Sequence, residues 1–120
     1  ACEVFTALAE AEAEVHGTRP EDVHFHEVGA TDAIIDITGS VLGVHLLGVA
    51  SISCGPLPLG SGFAECEHGT IPVPVPATAL LSRGLPTVPA AGEHPTGELV
   101  TPPAPRWCAV WPTASARPPP

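Results

Sequence analysis

The chain has 120 residues, enough for one small domain with a modest core. Its 13 acidic residues outweigh four arginines, with no lysine, for a net charge of −9. That balance excludes a basic surface for nucleic acid, and 44% hydrophobic against 14% charged residues excludes disorder throughout.

The four cysteines (Cys2, Cys54, Cys66, Cys108) contain no CxxC pair, so neither a zinc ribbon nor a disulfide framework is indicated. The first fifteen residues carry four glutamates and no basic residue, unlike a secretory signal. Asp36 interrupts the apolar run over residues 33–52 and argues against a membrane span. A cytoplasmic location is expected. No methionine occurs anywhere, so the chain is expected to be processed or to be a piece of a longer protein.

In chain order, residues 3–16 predict an amphipathic helix with a Val4, Leu8, Ala11, Val15 stripe, ended by Gly17 and Pro20. Residues 23–28 alternate like a strand that sets His24 and His26 on one face. Thr31 is placed to cap a second helix over residues 32–47, ended by Gly48. That helix is apolar nearly all round, which predicts a central, buried position. A strand is expected over residues 50–54, a loop over 55–62, a strand over 63–68, an extended segment over 71–76, a short helix over 76–83 and a strand over 85–88. Fifteen of the sixteen prolines lie from Pro56 onward. The fold class expected is therefore α/β: two main helices, short strands and a proline-rich second half. From Pro103 to the end neither helical nor strand periodicity is read, and residues 103–120 are expected to be a disordered or frame-shifted tail behind a domain of residues 1–102.

The densest group of potential ligands is "VHFHEVGATDAIID". His24 and His26, two apart on a strand, point the same way and could grip one ion, and imidazole suits nickel, copper, zinc or iron. The plain alternative is a pair of exposed histidines at a strand end. Glu27 follows them, and Gly29 permits a turn that could swing it round. Asp32 and Asp36 are four apart and share one side of the helix. Asp32 also suits a helix N-terminus without any ligand. Asp36 sits between two isoleucines in a helix expected to be mostly buried, so its carboxylate needs a cation, a hydrogen-bond donor or an exposed groove. Cys66 and His68 form a second candidate pair, with a half-buried thiol beside a surface histidine as the alternative. Gly60, Ser61 and Gly62 could turn backbone N–H groups to a phosphate, or form an ordinary turn.

Four motifs, "VHFHEVGATDAIIDITG", "GPLPLGSGF", "CEHGTIPVPVPATALLSRG" and "GELVTP", occur in an order and spacing that resemble LarC-family nickel insertion proteins over residues 3–102. The resemblance implies insertion of nickel into pyridinium-3,5-bisthiocarboxylic acid mononucleotide. The product is the nickel-pincer cofactor of lactate racemase-type enzymes, made through nickel–sulfur and nickel–carbon bonds. It implies a nickel-inserting lyase (cyclometallase) dependent on CTP with manganese or magnesium. Family members also continue beyond both ends of the matched region, so the missing N- and C-terminal parts are expected partners of a central fragment. On this reading His24, His26 and Glu27 hold nickel, Asp32 and Asp36 are further ligands or acceptors behind them, and Gly60, Ser61 and Gly62 approach the substrate phosphate. Catalytic residues are not assigned. The alternative function is a non-catalytic nickel carrier that binds the ion and hands it on.

Overall fold

The computed structural model describes residues 1–25, 31–66, 69–89 and 97–110, with side chains up to residue 107. Among these residues the architecture is mixed α/β, as expected, with four α-helices and four short strands.

Helix α1 (Cys2–His16) buries Val4, Ala7, Leu8, Ala11 and Ala13 on one side. Gly17 ends it at φ 64°, a left-handed conformation that costs other residues more, and Thr18 N–H donates to the Ala13 carbonyl at 3.0 Å. A 3₁₀ turn follows (Pro20–Asp22), held by Arg19, whose Nε donates to Asp22 Oδ2 at 2.8 Å. Residues 23–25 are not a strand, and the rest of the strand expected over 23–28 lies outside the described residues.

Helix α2 spans Thr31–Leu46, close to its expected limits. Its position is a correction. The helix is peripheral, with Ile37 as its one buried residue, and Asp36 is exposed rather than buried. Ile37 joins Val4 and Leu8 in the core cluster, against which Phe5, Phe25 and Leu81 pack. A helix apolar all round needs partners all round to be central, and within these residues α2 buries a single side chain, Ile37.

The strands form two small sheets. β1 (Leu57–Leu59) pairs in parallel with β4 (Thr87–Pro89), in register Leu57 to Thr87. β2 (Phe63–Cys66) pairs antiparallel with β3 (Gly69–Pro72), with Phe63 opposite Pro72 and Cys66 opposite Gly69. Two further expectations fail here. Residues 51–54 form no strand, and β1 lies inside the segment expected to be a loop. A two-stranded sheet is all edge, so Pro58 removes no bond that a central strand would need.

Helix α3 (Pro76–Leu81) starts on proline at a position whose N–H would be unpaired anyway. Helix α4 (Pro103–Val110) occupies the start of the segment in which no periodicity was read, and it packs on α1 and α3 with Pro105 fully buried. Pro103 and Pro105 fall in its first turn, where missing N–H groups cost no helical bond. Among the described residues no helix is long and apolar enough to cross a membrane.

Candidate functional site

A cleft of about 500 Å³ opens where four parts of the fold meet. The last turns of α1 supply Glu12 and His16, and the segment after the 3₁₀ turn supplies Asp22, His24 and Phe25. The β2–β3 hairpin adds Glu65, Cys66 and Ile71, and the approach to α3 adds Val75 and Pro76. Glu98 and Pro102 close the far side.

Local geometry fixes each wall. Phe25 is half-buried against Phe5, with ring centroids 6.5 Å apart and planes tilted by 59°. That contact ties the segment to α1 and leaves neighbouring His24 exposed at the cleft wall. His16 Nε2 stands 3.5 Å from Glu12 Oε2, one helical turn earlier. The Thr70 hydroxyl donates to Glu65 Oε1 at 2.6 Å across the hairpin. Thr78, fully buried in α3, directs its hydroxyl at Glu98 Oε1 (3.3 Å) and at the Val100 carbonyl (3.4 Å). The Cys66 thiol faces the Gly69 carbonyl at 3.4 Å.

Four carboxylates, two imidazoles, one thiol and apolar side chains therefore share one cleft, and among the described residues no arginine lines it. Such a lining attracts cations, and its apolar walls suit a flat organic ring.

The residues singled out from the sequence separate in space. His24 lines the cleft. His26 and Glu27, like His68, lie outside the described residues. Asp32 and Asp36 are exposed on α2 and do not line the cleft, and Asp32 Oδ1 accepts from the Ala33 N–H at 2.9 Å. Gly60, Ser61 and Gly62 do not line it either. The Ser61 carbonyl accepts from Gly97 N–H at 2.9 Å and the Gly62 carbonyl from Val73 N–H at 3.0 Å. A Cβ at Gly60 would collide with the Gly97 carbonyl, so close backbone packing accounts for that glycine. Among the described residues no three His, Cys, Asp or Glu side chains are grouped so as to hold a metal ion.

Sequence reasoning passed over Glu12, His16, Glu65 and Glu98. The Glu12–His16 spacing of four residues was a usable signal for one pair. Glu65 and Glu98 are brought in by the hairpin and by the Thr78 contact, which no local pattern reveals.

Comparison with known proteins gives a consistent result. A family model described as nickel insertion protein matches residues 1–109. A pyridinium-3,5-bisthiocarboxylic acid mononucleotide nickel insertion protein of Thermotoga petrophila is 54% identical over 102 residues, covering 85% of this chain and 25% of its own. A protein of the same name from Akkermansia muciniphila is 59% identical over 83 residues, covering 69% of this chain and 20% of its own. A relative from Geobacter metallireducens is 56% identical over 99 residues, covering 82% and 25%. The chain thus spans about a quarter of the length of the curated relatives it matches. No solved structure matches it.

Proposed function

The chain belongs to the nickel insertion protein family, and from that premise we propose that it forms part of a protein inserting nickel into pyridinium-3,5-bisthiocarboxylic acid mononucleotide. The observation that carries the reading is the cleft. It places His24, from the motif richest in ligands, among carboxylates and apolar side chains in a space of about 500 Å³. That volume falls in the usual range for a small-molecule site.

Nickel is cargo here. It is held by His24 together with His26 and Glu27, and the sulfurs of the substrate complete its coordination, since soft ligands suit a late divalent metal. The acidic walls also favour the cationic pyridinium ring. Asp32 and Asp36, on the exposed face of α2, are assigned to the path by which the hydrated cation arrives. Gly60, Ser61 and Gly62 are retained as the segment facing the phosphate. The Ser61 and Gly62 carbonyls are engaged in backbone pairing. The reaction is of the lyase (cyclometallase) type, with CTP and manganese or magnesium required by the whole protein.

Single-turnover conversion of the thiocarboxylate precursor tests this, in a longer family chain that carries these residues. The proposal expects a carbon-bonded nickel product that is lost when His24 is replaced by alanine. Nickel binding with no such product would instead assign the chain to a non-catalytic carrier.

A further inference from the structure

Helix α2 has a second apolar edge that nothing described covers. Ile35, Gly39, Leu42 and Leu46 follow one another at spacings of four, three and four residues, the spacing that lines up one seam of a paired helix. Ile37, which is 3% exposed and anchors the helix to the core, points to the opposite side. The seam therefore faces outward, with Ile35 62%, Leu42 52% and Leu46 74% exposed. Among the described residues no atom lies within 4 Å of where a Cβ on Gly39 would stand.

We propose that this seam pairs with the same seam of a second copy of the chain, with the two α2 helices antiparallel. The seam is self-complementary in that direction alone. In the antiparallel register Leu42 of each copy enters the gap over Gly39 of the other, and Ile35 meets Leu46 at both ends. A parallel pair would set glycine on glycine and leave a void, which costs packing. Electrostatics selects the same surface. The chain carries a net charge of −9, so two copies repel through most of their faces. From residue 37 to residue 64 there is no Asp, Glu, Lys or Arg, and this stretch holds most of the seam. In the antiparallel pair Asp36 comes beside Gly43 of the other copy rather than beside another carboxylate.

Sedimentation equilibrium of the chain tests the pairing. A mass twice the 12.2 kDa of one chain is expected at high concentration, falling towards one chain on dilution. Leu42→Asp should give the single-chain mass throughout. So should Gly39→Leu, which favours the helix itself but fills the gap that Leu42 requires. Helical circular dichroism checks that both variants fold. Phe63→Ser removes an apolar side chain of comparable exposure (72%) elsewhere and should leave the pair intact. A wild type that sediments as one chain at every concentration overturns the proposal, and assigns the seam to sequence from the longer family chains. A pair that survives Leu42→Asp or Gly39→Leu, or that is lost in Phe63→Ser, overturns it as well.

Discussion

At the scale of single residues, the cleft depends on side chains that never enter it. Thr78 is fully buried, and its hydroxyl reaches both Glu98 and the Val100 carbonyl. Valine would keep the shape and remove the donor, so Thr78→Val should cost about 1 kcal/mol in urea unfolding. Gly60 is constrained differently, because its backbone lies against the Gly97 carbonyl. Gly60→Ala forces the two segments apart and should destabilise by about 1–3 kcal/mol, read by the same titration. A smaller or opposite effect would show that the 60–62 segment moves freely against residue 97. By contrast, the ion pair of Arg83 Nη1 with Glu14 Oε1, 3.1 Å long and exposed at both ends, should matter little: Glu14→Gln is expected to shift stability by less than about 0.5 kcal/mol.

At the scale of elements, α1 carries the core and presents the cleft's first wall. Its end at Gly17 sets where the chain turns towards His24, with φ at 64°. Gly17→Ala should cost about 1 kcal/mol in thermal or urea unfolding. This helix was fully legible, because its apolar stripe and its stop signals agree. Strand β2 and helix α3 were legible within a few residues of their expected ends, whereas β3 only overlaps the extended segment expected over 71–76, and its pairing with β2 was not expected. Helix α2 was legible as a helix but not in its placement. Periodicity reports conformation, whereas burial depends on what packs against each face, and in α2 only Ile37 is buried. Helix α4 was missed because its sequence shows no helical periodicity; its Pro103 and Pro105 both sit in the first turn, where proline is tolerated. Parallel pairing of β1 with β4 joins residues some thirty apart, and no local pattern announces such a contact. The site follows the same rule. His24 stood out by spacing, while Glu65 and Glu98 reach the cleft only through the fold.

At the scale of the whole molecule, the described residues form an acidic α/β unit whose charged and uncharged surfaces are separated along the chain. The carboxylates and imidazoles of the cleft come from α1, the 22–25 segment, the hairpin and residue 98. The long uncharged stretch begins within α2, no residue of which lines that cleft. The cleft and the proposed pairing seam are thus different surfaces, and a substitution of a cleft residue such as His24 should leave the pairing unchanged. On the proposed function that cation is nickel, and the cleft is where it would meet the cationic ring of the substrate. Calorimetric titration with nickel, on the wild type and on the His24→Ala/His26→Ala double variant, tests this account most directly. The account predicts saturable heat for the wild type and an affinity lower by about tenfold or more for the variant. Equal heats for the two proteins, or no heat from either, would contradict it.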